Sequence, residues 1–365
     1  MAKRVIISGG GTGGHIFPAV AIANALKKIA PEIEILFVGA HGRMEMERVP
    51  AAGYKIIGLD IQGFQRKSLF KNLLLPYKLL MSLIKSRSII KEFKPDVAVG
   101  VGGYASGPLL YVASLMKIPY LIQEQNSYAG ITNKRLAKKA EKICVAFDGM
   151  EKFFPAEKIL VTGNPIRKET VDISDKREEA FNFFGLSPLK KTILLTGGSL
   201  GAGTLNKSML AGIDKIIAED VQLIWQTGKH YYESIQEHLA GKEQGNVRVL
   251  EFLQRMDFAY AAADVIVSRA GAGTIAELYV IKKPIILVPS PNVAEDHQTQ
   301  NAMALVKNEA ALLVRDMDAE QNLVDVALQL LKETKKCQIL SENIGKMALP
   351  DADEVIAREV LKIAS

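Results

Sequence analysis

The chain is poor in the features that mark secreted and membrane-spanning proteins. Only two of its 365 residues are cysteines, Cys144 and Cys337, which excludes a framework of disulfide bonds and favours a reducing cytoplasm. Its longest apolar region, residues 69–84, is interrupted by lysine, asparagine and proline, and falls short of the ~20 apolar residues that a membrane-spanning helix needs. The basic start, residues 1–4, precedes an apolar stretch that is too short for a signal peptide. The sequence therefore predicts a protein that is neither secreted nor integral to a membrane.

Acidic residues are fewer than basic ones. The 40 Asp and Glu residues against 46 Lys and Arg residues leave a formal net charge of +6, which favours an anionic partner such as a phosphate-rich ligand or an acidic membrane surface. We expect no nucleic-acid partner. Hydrophobic residues make up 48% of the chain and charged residues 24%, as in folded globular proteins, and the length exceeds what one hydrophobic core usually fills. Two domains are therefore expected.

Short β-branched runs alternate with stretches of helical length along the chain. This order predicts an α/β fold with parallel sheets covered by helices on both faces. Two of the helical stretches are Ala19–Ile29 and Ala272–Ile281. The candidate strands are Val5–Ile7, Ile35–Val38, Val97–Val99, Tyr120–Ile122, Ile193–Leu195, Leu223–Trp225, Val265–Val267 and Ile285–Val288.

Glycine clusters recur on the same plan in the two halves of the chain. In each half the first strand ends in a glycine-rich loop, residues 9–14 and 197–202, and a later strand ends in another, residues 102–107 and 271–274. The repeat predicts two Rossmann-like domains, with a boundary near Gly163-Asn164-Pro165 because an Asn-Pro pair interrupts regular structure. Ligands of such sheets bind beyond the carboxyl ends of the strands, so two facing halves would form a cleft lined by the four loops.

The first loop fits the dinucleotide-binding pattern Gly9-x-Gly11-x-x-Gly14 between a strand and a helix. Glycines let backbone N–H groups approach a phosphate, and a helix N-terminus favours its charge. A nicotinamide site also needs an acidic residue at the end of the second strand, whereas that strand ends Val38-Gly39-Ala40. The pattern therefore favours a phosphate-bearing ligand other than a nicotinamide dinucleotide.

Two histidines lie where they could serve chemistry. His15 directly follows the first glycine loop, where an imidazole can reach a reacting hydroxyl, and His297 is expected at a helix start beside the ligand. No metal site is expected: the aspartate pairs at 316/318 and 351/353 are interpreted as helix caps far from the glycine loops. Ser199 and Arg167 are then candidates to meet leaving-group charge.

Residues 63–94 form a segment that is both basic and apolar. It is either an ordinary core helix with a solvated basic edge or a surface that inserts into an anionic membrane, because its apolar positions exceed one helical stripe. The residues expected at a membrane are Leu69, Phe70, Lys71, Leu73, Leu74, Leu75 and Lys78.

These loops and their flanks resemble the MurG glycosyltransferases, in the order of that family and over nearly the whole chain. The matching segments are 10–19 (GGTGGHIFPA), 103–108 (GYASGP), 124–126 (EQN), 163–167 (GNPIR), 197–202 (GGSLGA) and 269–277 (RAGAGTIAE), completed by Gln298 and Asn301-Ala302. The chain departs from the family at Gly273, where relatives often carry a larger apolar residue, and at Leu253, which replaces a common isoleucine.

The resemblance implies a GT-B fold and one defined reaction. N-acetylglucosamine would move from UDP-GlcNAc to the C4 hydroxyl of the muramoyl sugar of lipid I, with inversion and without a cofactor or required metal. The product, lipid II, is the peptidoglycan precursor, made at the cytoplasmic membrane face. Residues 1–163 would hold the acceptor and approach the anionic membrane, 164–349 would bind UDP-GlcNAc, and 350–365 would return to the first domain as a helix. Other proteins of cell-wall synthesis are a further class of candidate partner.

The resemblance also implies site residues. Glu277 would hold the ribose hydroxyls, Arg167 and Ser199 the diphosphate, and Asn126 and Gln298 the sugar, while His15 and Glu124 are the two candidates for the base. The donor contacts implied are Thr12, Gly13, Gly14, Asn126, Arg167, Ser199, Leu253, Ala272, Gly273, Thr274, Ile275, Ala276, Glu277 and Gln298. The loop residues expected at the acceptor diphosphate are Gly11, Gly103, Tyr104 and Ser106.

Four other functions stay open at this level. An NAD-dependent oxidoreductase would rest on the first glycine pattern alone. A glycolipid glycosyltransferase or a UDP-sugar epimerase would share the fold, although Glu124-Gln125-Asn126 argues against both. A nucleotide-sensing membrane adaptor would bind without turnover.

Overall fold

The alternating strands and helices form two separate parallel sheets. A computed structural model describes residues 2–63, 73–241 and 245–365. The chain divides into two units, one running to Ile166 and completed by Leu349–Ser365, the other spanning Arg167–Ala348. The turn Gly163-Asn164-Pro165 lies just before the first boundary.

The first unit carries a seven-stranded sheet in the order β3-β2-β1-β4-β5-β6-β7, and each adjacent pair of strands is parallel. Its strands are β1 (Arg4–Ser8), β2 (Glu34–Ala40), β3 (Lys55–Leu59), β4 (Val97–Gly100), β5 (Tyr120–Glu124), β6 (Lys142–Val145) and β7 (Ile159–Val161). Its helices are α1 (Gly13–Ile29), α2 (Glu45–Ala51), α3 (Leu75–Phe93), α4 (Ser106–Leu115), α5 (Ile131–Leu136) and α15 (Ala352–Ile363).

Both faces of this sheet are buried. Along β1, Val5 and Ile7 belong to one apolar cluster and Ile6 to another, since successive side chains of a strand point to opposite faces. A strand covered on both sides must be apolar at every position, which explains the uninterrupted run Val5-Ile6-Ile7.

The last helix, α15, packs on the first unit. Ile356, Ala357 and Val360 share the apolar cluster that α1 forms with the sheet. Lys28 on α1 pairs with Glu354 at 2.8 Å. The chain therefore ends on the unit in which it began.

The second unit repeats the arrangement in a six-stranded parallel sheet of order β10-β9-β8-β11-β12-β13. Its strands are β8 (Thr192–Thr196), β9 (Gln222–Gln226), β10 (Val247–Leu250), β11 (Val265–Ser268), β12 (Ile285–Leu287) and β13 (Leu312–Leu313). Its helices are α6 (Lys168–Val171), α7 (Arg177–Phe184), α8 (Gly203–Ala218), α9 (Lys229–Leu239), α10 (Met256–Ala262), α11 (Ala272–Ile281), α12 (His297–Val306), α13 (Ala319–Lys332) and α14 (Thr334–Lys346).

The strand order of each sheet reverses direction at its first strand, next to β1 in one and next to β8 in the other. Loops leaving the two strands at such a point diverge and open a crevice at the carboxyl edge of the sheet. The glycine loops follow β1 and β4 in the first unit and β8 and β11 in the second. The fold thus gathers the glycine clusters pairwise at the two crevices, and the predicted α/β class with two parallel sheets is confirmed.

Candidate functional site

The first glycine loop connects β1 to α1 and positions His15 in the first turn of that helix. The Nδ1 atom of His15 lies 3.0 Å from the carbonyl oxygen of Gly10. Because a carbonyl oxygen only accepts, Nδ1 carries the proton in this bond, and in the neutral ring Nε2 carries the lone pair. His15 is half-buried.

The loop after β4 packs directly on the first loop. A Cβ atom at Gly102 would lie 2.8 Å from Cδ2 of His15, and one at Gly103 would lie 2.3 Å from the Gly10 carbonyl oxygen. Both residues also have φ near +90°, where side chains are strained. Only glycine permits this contact.

Two predicted acceptor residues in this second loop have different surroundings. Tyr104 is exposed, and its ring lies beside Gly11 and Gly63. Ser106 is buried, with its hydroxyl 2.8 Å from the carbonyl oxygens of both Ser8 and Gly102. Ser106 therefore ties β1 to the loop, and we assign its hydroxyl a structural role.

Glu124 lies at the end of β5 and is almost fully buried. Its Oε1 accepts hydrogen bonds from the backbone and side-chain amides of Asn126, and its Oε2 from the Gly130 N–H and the Asn133 amide. Four N–H donors therefore surround the carboxylate. This arrangement shapes the loop after β5 and places Asn126, the predicted sugar contact, at its start.

The second unit contains a cavity of about 880 Å³ at the carboxyl edge of its sheet. The glycine loop after β8 and the N-terminus of α11 line it, together with Thr274 and Gln298 from the predicted donor set. The Gln298 amide oxygen accepts from the Ser290 N–H at 2.9 Å, so its amide nitrogen is the atom that could donate to a ligand. The N-terminus of α11 combines backbone N–H donors with a favourable helix dipole, an arrangement that suits a phosphate.

One aspartate pair lies closer to the glycine loops than the sequence suggested. Asp316 lines this cavity, forms an ion pair with Arg269 at 2.5 Å and accepts from the Thr204 hydroxyl at 3.1 Å. The expectation that it lies far from the loops is wrong, because β13 runs beside β12 and ends at the same edge. Asp318 and Asp351 directly precede α13 and α15 without a side-chain capping bond.

A largely buried carboxylate, Glu277, lies on α11 in the second unit, with its side chain 13% exposed. It pairs with Arg167 at 3.2 Å and accepts from the Tyr260 hydroxyl at 3.1 Å. Burial raises the pKa of Glu277 above its usual 4.5, while the Arg167 guanidinium opposes that shift. Burial and the Glu277 charge raise the pKa of Tyr260 well above 10, which keeps this phenol a donor. Arg167, which was predicted to contact the diphosphate, is thus paired with Glu277, the residue predicted to contact the ribose.

The other predicted donor residues differ in exposure. Leu253, Ile275 and Ala276 are buried in the core, so only their backbone could meet a ligand, and the Ile275 N–H is already bonded to the Gly271 carbonyl. Ser199, in the loop after β8, and Gly273, in the first turn of α11, are both exposed. His297 begins α12, as expected.

Residues 64–72 of the apolar basic segment lie outside the described residues, among them Leu69, Phe70 and Lys71. The N-terminal part of α3 and the turn before it expose large side chains, with Leu74 and Tyr77 each 62% exposed. The C-terminal part of α3 is packed through Ile89 and Ile90. Lys78, one of the predicted membrane cations, pairs with Asp60 at 3.1 Å. Within the described ranges no helix is long and apolar enough to cross a membrane.

Family models match both units. The N-terminal domain model of glycosyltransferase family 28 covers residues 5–145, and the C-terminal domain model covers 192–356. The chain belongs to the MurG family, glycosyltransferase family 28.

Relatives within the MurG family resemble the chain over its full length. A Bacteroides fragilis protein named UDP-N-acetylglucosamine–N-acetylmuramyl-(pentapeptide) pyrophosphoryl-undecaprenol N-acetylglucosamine transferase is 59% identical, covering 100% of this chain and 96% of its own. A protein of the same name from Cytophaga hutchinsonii is 54% identical over 99% of this chain and 96% of its own.

Solved structures resemble it as well. The crystal structure of Acinetobacter baumannii MurG has a TM-score of 0.78 at 29% identity, covering 99% of both chains. A UDP-GlcNAc 2-epimerase from Neisseria meningitidis shares the fold, with a TM-score of 0.68 at 16% identity over 99% of this chain and 100% of its own.

Several residues at the MurG-family loops escaped the sequence analysis. Glu45 is buried against the first glycine loop, Tyr260 bonds Glu277, and Arg269 pairs with Asp316. Glu45 and Tyr260 carry no sequence signal, because a glutamate at a helix start and a tyrosine in an apolar helix are ordinary. Arg269 is the first residue of the matching segment 269–277, and this position was the signal that could have identified it.

Proposed function

We propose that this chain transfers N-acetylglucosamine from UDP-GlcNAc to the muramoyl C4 hydroxyl of lipid I, forming lipid II. The observation that carries the proposal is the 59% identity, over all 365 residues, to a transferase named for that reaction. Relatives from Parabacteroides distasonis and Flavobacterium psychrophilum, at 57% and 51% identity, bear the same name.

The second unit is the proposed donor site. The first-turn N–H groups of α11, at Ala272, Gly273 and Thr274, would hold the diphosphate, since a helix N-terminus combines donors with a favourable dipole. Glu277 would accept from the ribose hydroxyls, because a carboxylate has about four acceptor positions and two donors are seen on it. Gln298 would donate to the sugar.

The first unit is the proposed acceptor site, with His15 as the base. Its Nδ1–H is held by the Gly10 carbonyl, which orients the ring and leaves the Nε2 lone pair as the basic position. Glu124 fits this role less well, because the side chain is almost fully buried and both of its oxygens already accept hydrogen bonds from N–H donors. Glu124 instead organises the loop that carries Asn126.

The proposed reaction is one displacement at the anomeric carbon. The C4 hydroxyl oxygen of the acceptor bonds to C1 of N-acetylglucosamine as His15 Nε2 takes the hydroxyl proton. The bond between C1 and the diphosphate oxygen breaks, and UDP leaves with the electron pair. Attack opposite the leaving group inverts C1, and the amides at the start of α11 stabilise the negative charge that develops on the diphosphate.

The exposed apolar part of α3, together with the turn before it, is the proposed contact with the membrane that holds the acceptor. Leu73, Leu74, Tyr77, Leu80 and Ile84 are all more than half exposed, and the nearby Lys85 and Arg87 are also exposed. Apolar side chains beside basic ones bind anionic lipid surfaces by burial together with attraction. The chain would act peripherally at the cytoplasmic face.

Transfer of radiolabel tests the proposal. The purified chain is incubated with UDP-GlcNAc labelled in the sugar and a short-chain lipid I analogue, with and without EDTA. Label should enter the lipid fraction in proportion to the UDP released, at the same rate in both arms. Label that stays on the nucleotide, in an assay where an authentic MurG converts the same analogue, would refute the proposal.

A further inference from the structure

Glu45 is a fully buried carboxylate at the start of α2. Its Oε1 accepts from the Ala40 N–H at 3.0 Å, and its Oε2 accepts from the Gly11 N–H at 2.9 Å. The side chain thus joins the end of β2 to the first glycine loop. The Gly11 N–H, expected at the acceptor diphosphate, is already bonded.

The carboxylate fits closely against glycines. A Cβ atom at Gly10 would lie 2.2 Å from Oε1 of Glu45, and one at Gly39 would lie 2.6 Å from its Cγ. On the other side, the Gly10 carbonyl lies so close to Gly103 that a Cβ there would be 2.3 Å from the oxygen. The Gly10–Gly11 peptide is therefore held between Glu45 and the second glycine loop.

This one peptide also carries the bond to His15. Its N–H, on Gly11, donates to Glu45 at 2.9 Å, and its C=O, on Gly10, accepts from His15 Nδ1 at 3.0 Å. A trans peptide is rigid and planar, and its N–H and C=O point in opposite directions. Glu45 and His15 therefore bond to opposite ends of the same dipole.

We propose that Glu45 is a positioning residue for His15 that acts through the Gly10–Gly11 peptide, a role that rests on the proposed function. A carboxylate at the N–H polarises the peptide and makes its carbonyl oxygen a stronger acceptor, as in other hydrogen-bond chains. The stronger acceptor fixes the Nδ1–H tautomer of His15 and its ring orientation. The Nε2 lone pair is then held ready for the acceptor hydroxyl.

The test compares Glu45→Gln with Glu47→Gln, a matched control on the exposed face of the same helix. Glutamine keeps the shape of Glu45, but it loses the charge and offers an N–H₂ group to one of the two amides. ¹⁵N NMR of the imidazole reports the His15 tautomer without any substrate. Initial rates of transfer to the lipid I analogue report kcat and the donor KM.

In Glu45→Gln we expect the His15 tautomer to shift from Nδ1–H toward Nε2–H. We also expect kcat to fall by about tenfold to a hundredfold, the range for a misplaced catalytic group, with the donor KM within about twofold. Glu47→Gln should match the wild type in both readouts. If Glu45→Gln does not fold, Glu45→Asp replaces it, because the shorter carboxylate can reach only one of the two amides.

An unchanged His15 tautomer in the Glu45 variant would overturn the proposal, and so would an equal loss of kcat in Glu47→Gln. A loss of kcat accompanied by a matching rise in donor KM would also count against it, since a general loosening of the fold would produce both. A wild-type chain without transferase activity would refute the proposed function, while the tautomer measurement would still decide the coupling between Glu45 and His15.

Discussion

Replacing Glu277 by glutamine should weaken donor binding without disturbing the fold of the second unit. In the structure Glu277 accepts from Arg167 and from the buried Tyr260 hydroxyl. Alanine would leave that hydroxyl without its acceptor, at a cost of about 1–3 kcal/mol of stability. Glutamine keeps an acceptor for Tyr260 and removes the charge.

The size of the effect follows from the difference between charged and neutral acceptors. A hydrogen bond to a charged group contributes about 1.5–3 kcal/mol and a neutral one about 0.5–1.5 kcal/mol. Losing the charge at the ribose should therefore cost about 1.4 kcal/mol, a rise of about tenfold in the donor KM. The value of kcat should change little, because the ribose is bound equally in the ground state and the transition state.

Lowering the pH should weaken donor binding by the wild type, as the Glu277→Gln substitution does. Since burial raises the pKa of Glu277 above 4.5, the carboxylate takes up a proton at a higher pH than an exposed glutamate. The donor KM of the wild type should therefore rise as pH falls toward that pKa, and the KM of Glu277→Gln should stay flat over the same range.

Initial-rate kinetics with varied UDP-GlcNAc provide the measurement. Glu342→Gln, which removes one charge from an exposed site on α14, is the control and should keep the wild-type KM. A KM within about twofold of the wild type in Glu277→Gln would refute the assignment of Glu277 to the ribose, because the expected cost of a lost charged acceptor would be absent.

Three other perturbations test other parts of the molecule. His15→Ala should lower kcat at least about tenfold with donor KM little changed, since a positioned base contributes ~10²–10⁴-fold. Serine at three exposed apolar positions of the α3 region should weaken salt-sensitive sedimentation with anionic vesicles by at least about tenfold, because each large apolar side chain contributes up to ~1.5–3 kcal/mol on burial. Asp257→Asn should lower Tm at pH 7 by about 2–4 °C, as expected for ~1 kcal/mol after solvent screening, and this difference should narrow between pH 4 and 2. The vesicle variant changes Leu74, Tyr77 and Leu80.

The pH dependence of the Asp257 effect follows from its partners. Arg255 and Lys176 hold the pKa of Asp257 at about 2, below the usual 3.8. The native state therefore binds fewer protons than the unfolded chain in this range, so the stabilisation is present above pH 4 and lost as pH falls toward 2. Asp325→Asn, which breaks an exposed pair with Lys215, should leave Tm nearly unchanged at both pH values.

Controls for the other two perturbations are equally specific. Leu189→Ser removes a side chain that is 93% exposed in the second unit, and it should leave vesicle binding unchanged. If Leu189→Ser lost as much vesicle binding as the α3 variant, the α3 region would have no specific role at the membrane, and α3 would be an ordinary solvated helix. Normal kcat in His15→Ala, together with an inactive Glu124→Gln, would move the base to Glu124.

The fold class could be predicted because local patterns carry it. The strand run Val5-Ile6-Ile7 is apolar at every position, which indicates a strand buried on both faces, and Ala272–Ile281 forms a helix with the predicted bounds. The glycine loops that follow the strands indicated the edge of each sheet at which a ligand would bind. The strand order of the two sheets, by contrast, depends on contacts between distant segments and is not visible in any one of them.

The details of the site depended on partners far apart in the chain. Glu45 lies 34 residues from Gly11, and Arg167 lies 110 residues from Glu277. Asp316 was misplaced for the same reason, since the short strand β13 brings it beside Arg269, 47 residues earlier. Sequence patterns identified loops and residue types, whereas the bonds among them required the folded chain.

The most direct test of the central claim is the structure of the product. The wild-type chain is incubated with UDP-GlcNAc and a short-chain lipid I analogue, and the anomeric configuration and attachment position of the new sugar are determined by NMR. The account predicts a β-linked N-acetylglucosamine on the muramoyl C4 oxygen, with one UDP released for each sugar transferred. Retention at the anomeric carbon, attachment to another hydroxyl, or conversion of UDP-GlcNAc to its C2 epimer without transfer would contradict it.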